Sequence, residues 1–301
     1  MGVGIIRTLS PEVEGQVKSG NIPKKKVDAY WKMLDRIERE TLPHEVIVNN
    51  KFTAWFEKGE LDREDVRHFL VQFSVFSNLF IEAQLKKTIN APTLEAMHAS
   101  KEILMNELGV VFRRPSRSPV NVEKSEDVDP DLVVTEGTVD GGSFRFAAAH
   151  FEWLLRMISH VGLTYSDVGK RRHGTKSTLF FCDELARLYG SDDPHVGLGA
   201  SFGVENWAAA GFWKQLIRGL EIFKKRECPS LPLTFFTWHD KVEDQHAAHT
   251  WTELQEEYFS MELDEAKFFQ GAREMLNGVL AFWNGLNEDR LKREKSRKIA
   301  V

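Results

Sequence analysis

His239, Glu243 and His246 stand at i, i+4 and i+7 in the run Trp238-His239-Asp240-Lys241-Val242-Glu243-Asp244-Gln245-His246. At 3.6 residues per turn they fall within about 60° of one another on a helix. Two neutral imidazoles flanking a carboxylate make half of a metal site. Such nitrogen and oxygen donors suit iron, manganese or zinc better than calcium. His249 lies further round the helix, with Asp240 and Asp244 on the other side, which suits supporting or solvated roles. Taken alone, the pattern fits a polar surface helix about equally well, so a site needs donors from other helices.

Those donors are sought as single ionisable residues on apolar stripes, where an unpaired charge is costly. Glu205 is the clearest case: its stripe continues through Ala209, Phe212, Leu216, Leu220 and Phe223. Gly199, Ala200, Gly203 and Ala208 nearby either let helices approach closely or leave room for a substrate. His150 shares an inward face with Leu154, Met157, Ile158 and Val161. A lone His on such a face is more often a core residue, and the convergence of other donors argues for a ligand. Glu107 shares a stripe with Ala96, Ser100, Ile103 and Leu104. Glu82, on a stripe with Val71, Val75, Leu79 and Ile89, is a further candidate ligand, although Lys86 at i+4 could simply neutralise it. A competing arrangement pairs Glu95-x-x-His98 with Glu243-x-x-His246, the two Glu-x-x-His motifs of a ferritin-like di-iron bundle. It ranks second, because Lys101 and Glu102 make the Glu95 side look solvated, and because it leaves His150 and His239 without roles.

The elements that must position these residues are helical throughout, with no series of strands. Helices are expected over Lys24 to Thr41, Val46 to Glu57, Asp62 (as N-cap) to Asn90, and Thr93 to Gly109. Others follow at about 146–161, 176–190, 198–226, 231–256 and 263–289. Residues 1–22 read as an extended arm, 23–289 as one helical domain, and 290–301 as a basic tail. The interruption at 111–145 is polar, charged and rich in Pro and Gly, and long enough to act as a lid or partner surface. The expected fold is all-α, a bundle of about seven to eight helices with one long insertion.

Composition narrows the class. The 301 residues are 42% hydrophobic and 11% aromatic, enough for a sizeable core. A net charge of -5 argues against nucleic acid as a partner. Two well-separated cysteines, Cys182 and Cys228, fit a reducing cytoplasm and offer no thiolate metal site. No signal sequence, myristoylation pattern or membrane-spanning stretch is evident, so a soluble cytoplasmic protein is expected.

On these residues the chain resembles the haem-oxygenase-like di-iron oxidases, relatives by fold of the thiaminase-like and pyrroloquinoline-quinone-synthesis helical proteins. The family's metal helix reads His-x3-Asp-x2-His, matched here by His239 and His246, with Glu243 where Asp is usual. Glu reaches one methylene further. The family's earlier Glu matches Glu107 in Asn-Glu-Leu-Gly, and its mid-chain Glu matches Glu205. Its first His matches His150, which here arrives only after the insertion. Some members draw an extra carboxylate from the third helix, where Glu82 falls. The resemblance covers roughly residues 25–285. It implies two iron ions, the second weakly held, with O2 as co-substrate. It implies oxidation of a small organic substrate by N-oxygenation or oxidative carbon–carbon cleavage, and allows a homodimer. Two further readings stay open: a cofactor-free hydrolase or oxidase of the same fold, and a non-catalytic helical binding protein.

Overall fold

The fold is taken from a computed structural model that describes residues 7–112, 144–146, 149–260 and 262–299, without the side chains of 111–112, 144–146 and 242–249. The expected arm contains a helix, α1 (Pro11–Lys18), started by the Ser10 hydroxyl and by Pro11 in the first turn. Next come α2 (Lys24–Arg36), prolonged by a π-helical turn to Thr41, then α3 (Glu45–Val48) and α4 (Lys51–Phe56). The single helix expected over 46–57 is divided because the Asn50 side chain caps α4, accepting from Phe52 and Thr53 N–H. The long α5 (Arg63–Ile89) begins at Asp62, which exchanges side-chain to backbone hydrogen bonds with Asp65. Thr93 caps α6 (Leu94–Glu107), which ends at Gly109 in the left-handed region.

The inserted segment is not structureless at its ends. Strands β1 (Val110–Phe112) and β2 (Phe144–Phe146) pair antiparallel, with Val110 opposite Phe146 and Phe112 opposite Phe144. Residues 113–143, where a lid or partner surface is expected, lie outside the described residues. Beyond the ribbon run α7 (His150–Ser159), α8 (Lys176–Tyr189), α9 (Pro194–Ala208), α10 (Phe212–Glu227), α11 (Thr234–Ser260) and α12 (Glu265–Ile299). Gly211, at φ 96°, splits the expected 198–226 helix into α9 and α10, a conformation open to glycine at little cost. The fold is therefore all-α as expected, apart from the ribbon, with more segments than seven or eight.

Helices α5, α8, α9, α10 and α12 enclose the main core, whose fully buried rings include Phe69, Phe73, Phe181, Phe236, Phe282 and Trp283. A second cluster packs Tyr30, Met33 and Leu34 of α2 against Trp251, Leu254 and Phe268 of α11 and α12. Small residues set the crossing of α9 over α12. A Cβ added at Gly199 would fall on the carbonyl of Phe268, and one at Gly271 on the carbonyl of Val196. Of the two uses the sequence allowed for these glycines, close approach is the one realised.

The connection between α7 and α8 is held to α5 by two side-chain amides, one buried and one half-buried. Gln72 accepts from Thr175 N–H and from the Thr178 hydroxyl, both at 2.8 Å, and donates to His173 O at 2.9 Å. Asn78 donates to Gly169 O at 2.8 Å. The basic segment after residue 289 continues α12 through Ile299 instead of leaving it as a tail. Arg293 and Arg297 reach buried Asp65, and Arg290 lies 4.5 Å from the Trp55 ring centre. Among the described residues, no helix is long and apolar enough to cross a membrane.

Candidate metal centre

Glu107 is the last residue of α6 and His150 the first of α7. The β1–β2 ribbon joins these helix ends, because Val110 lies just after Glu107 and its partner Phe146 just before His150. The late position of His150 in the sequence is thereby cancelled in space. His150 Nδ1 lies 2.8 Å from Glu107 Oε1, with side chains only 10% and 11% exposed. Leu154, Met157 and Ile158, buried further along α7, hold the helix against the core.

His239 approaches from α11. Its ring centroid lies 4.9 Å from that of His150, the two planes at 78°. Its Nδ1 lies 2.6 Å from the carbonyl oxygen of Phe235, one turn earlier. A carbonyl only accepts, so Nδ1 carries the proton and Nε2 holds the lone pair. A backbone carbonyl thus helps to orient His239; the side chain of Asp244, one of the two residues the sequence suggested for such a role, lies outside the described residues. The ring of Trp213 stacks on His239 at 4.8 Å and 22°. Trp153 and Trp238 flank His150 at 5.3 and 4.8 Å. Sequence reasoning missed this aromatic wall. Trp238 adjoins His239 and Trp153 follows His150 by three, but nothing local marks Trp213, which comes from α10.

Glu205 is half-buried on α9, between buried Val204 and Asn206. Helix α11 is continuous through positions 239, 243 and 246. The side chains of Glu243 and His246 lie outside the described residues. Among the described residues, no group of three or more His, Cys, Asp or Glu side chains gathers closely enough to hold a metal ion. Glu82 is not brought to this place. It is exposed, pairs with Lys86 at 3.0 Å, and acts electrostatically on Arg171 and Cys182. Glu95 and His98, on which the ferritin-like arrangement depends, are both exposed on α6.

The donor set fits iron in type. Metal–ligand bonds of about 2.1 Å at right angles place neighbouring donor atoms about 3 Å apart. The Glu107–His150 separation matches that spacing, and it equally matches an ordinary hydrogen bond. A carbonyl behind an imidazole, as Phe235 O stands behind His239 Nδ1, is a support that metal-binding imidazoles commonly have.

Solved structures resemble the whole arrangement of helices. A domain of unknown function with a haem oxygenase-like fold from Shewanella denitrificans superposes with a TM-score of 0.55, at 13% identity over 91% of this chain and 95% of that one. The chain has a haem-oxygenase-like fold. A TenA homolog from Pseudomonas syringae pv. tomato gives this haem-oxygenase-like protein a TM-score of 0.57, at 9% identity over 86% and 92% of the two chains. A CADD-like protein of unknown function from Nostoc punctiforme gives 0.54, at 14% identity over 88% and 98%. At such identities the likeness concerns the fold. No family model and no curated protein matches the haem-oxygenase-like chain.

Proposed function

We propose that the chain is a non-haem di-iron oxidase or oxygenase acting on a small organic molecule, with Glu107, His150, Glu205, His239, Glu243 and His246 as its ligands. One observation supports the reading: Glu107 and His239, from two other helices, each lie against His150 beside a wall of tryptophans. When bound, iron supplies the means of reducing O2, which closed-shell side chains lack. The carboxylates offset the metal charge, and the imidazoles supply neutral nitrogen donors. The Phe235 carbonyl holds His239 in one tautomer, and stacking on Trp213 restricts its ring. Trp153 and Trp238 limit access of water to His150.

The deciding experiment is anaerobic titration with Fe(II), read by iron stoichiometry and Mössbauer spectroscopy and followed by exposure to O2. Close to two irons per chain, reduced in a folded His239→Ala variant, supports the proposal; no uptake by the native protein removes it.

A second reading, a cofactor-free enzyme of the same fold, is favoured by the 2.8 Å approach of Glu107 Oε1 to His150 Nδ1. A carboxylate that orients an imidazole is the arrangement of a general base. Activity without iron uptake selects it.

A further inference from the structure

Four tryptophans, one each from α10, α9, α12 and α4, lead from the candidate centre to the surface. Trp213 stacks on His239 at 4.8 Å between ring centroids. Phe212 lies 4.5 Å from both Trp213 and Trp207, and is parallel to Trp207 within 4°. Trp207 and Trp283 neighbour each other at 6.3 Å. Phe52 then bridges Trp283 and Trp55, at 5.6 and 5.4 Å. The first three tryptophans are buried. Trp55 is half-buried in the wall of a cleft of about 460 Å³, lined also by Lys58, Glu60, Asp65, Arg290, Glu294 and Arg297.

Packing alone does not account for these rings. Among the described residues, the indole N–H groups of Trp207, Trp213 and Trp283 are buried without a hydrogen-bond acceptor. Buried tryptophans ordinarily find one, as Trp251 does in Asn206 at 3.1 Å. Phenylalanine, used throughout this core, packs without an orphaned donor. The orphaned donors have a redox consequence. An indole that loses an electron becomes acidic at its N–H, and one with no acceptor keeps the proton. The vacancy then stays mobile, where loss of the proton would trap it as a neutral radical. At Trp55 the balance reverses. The Arg290 guanidinium, 4.5 Å from the ring centre, opposes a second positive charge, and the cleft lets the proton leave to solvent.

We propose that these rings form an electron path from the cleft to the candidate centre, which discharges the centre when no substrate is bound. The proposal rests on the di-iron reading for the source of oxidising power. An electron passes from Trp213, beside His239, to the centre once O2 has oxidised it; Trp207, Trp283 and Trp55 refill one another in turn. Trp55 releases its proton to solvent with the loss of its electron, and a reductant of the ascorbate class in the cleft returns both. The net change is one electron moved from reductant to centre and one proton moved from reductant to solvent.

The path is tested without iron by a ruthenium photo-oxidant attached through Lys214→Cys, at an exposed position next to Trp213. Cys182 and Cys228 are buried and compete little for the label. After a laser flash, the tryptophan radical is followed by transient absorption while ascorbate is raised. Its decay is expected to quicken with ascorbate in the otherwise native protein and in Trp251→Phe, and to lose most of that dependence in Trp283→Phe and in Trp55→Phe. Ascorbate-dependent decay that survives both of the last two substitutions, or no tryptophan radical at all, overturns the path. Trp55 is only half-buried, so Trp55→Phe keeps the test decisive if Trp283→Phe misfolds. The Fe(II)-loaded protein, exposed to O2 without substrate, is expected to gain oxygen at Trp55 by peptide mass spectrometry, less so with ascorbate present. In Trp55→Phe the added oxygen is expected at Trp213, Trp207 or Trp283. Absence of iron uptake would sink the di-iron reading and leave the flash result to decide the path; iron uptake with no effect of Trp55→Phe in either experiment would sink the path alone.

Discussion

The Nδ1 of His239 and the carbonyl oxygen of Phe235 are 2.6 Å apart within one turn of α11, which fixes the tautomer of the imidazole from its own helix. The helix that supplies the ring also supplies its support. The Trp213 ring stacked on the imidazole comes from α10 and holds the plane from a second direction.

Glu107→Gln separates the charge of the Glu107–His150 pair from its shape. Glutamine keeps an acceptor for His150, so chemical denaturation is expected to show a stability change within about 1.5 kcal/mol. Iron affinity, measured by competition with a chelator, is expected to fall on the order of tenfold or more. Unchanged affinity would remove Glu107 from the ligand set.

Gly199→Ala places a methyl group on the Phe268 carbonyl and should destabilise the fold by about 1–3 kcal/mol. Gly197, two residues earlier on the same helix, has only the Leu188 carbonyl near a new Cβ, at 3.9 Å. Gly197→Ala should therefore stabilise by about 0.5–1 kcal/mol. Thermal melts of the two variants should move in opposite directions; a shared direction would refute the close crossing of α9 and α12.

Asp65→Ala removes the partner of Asp62 in the α5 cap, takes from Arg293 its carboxylate partner and leaves Arg297 paired with Asp62 alone. With Asp65 only 7% exposed, the loss should be about 3 kcal/mol. Lys298→Ala, which breaks an exposed i,i+4 pair with Glu294, should stay within about 0.5 kcal/mol. Urea unfolding of both variants measures the contrast, and a similar small effect in each would mean that the end of α12 is not docked.

His68 makes stability depend on pH. Burial first, then the Arg293 guanidinium, holds its imidazole below the ordinary value of 6.5, against the opposing pull of Asp289 and Asp65. Asp289 lies 3.3 Å from His68 Nε2, but the geometry does not form a hydrogen bond. Below pH 6.5 the unfolded chain takes up this proton before the folded one does. The His68 contribution is therefore whole above 6.5 and declines as the pH falls towards the folded value. Unfolding free energies at about pH 7.5 and 5.5 should differ less in His68→Gln than in the native protein. An identical difference would show that His68 does not titrate in this way.

Local signals were readable in the chain itself. Asp62 and Thr93 mark helix starts because a short polar side chain beside the first turn needs no distant partner. Gly109 marks a stop, and the spacing of His239, Glu243 and His246 follows from helical pitch alone. The all-α class and the inward stripe carrying His150 were legible for the same reason, whereas Gly211 interrupts the stripe read from Glu205 to Phe223 and Ile103, on the stripe read with Glu107, is exposed. Tertiary structure decided what depends on residues far apart in the chain. The ribbon closes the gap between Glu107 and His150, Trp213 arrives beside His239 from another helix, and α12 carries its basic end onto Asp65. Gly199 showed that two helices could approach, but only Phe268 on the facing helix determined that they do. Pitch and capping act over a turn or two, whereas these contacts depend on how complete helices pack, and no short stretch of sequence contains that distance.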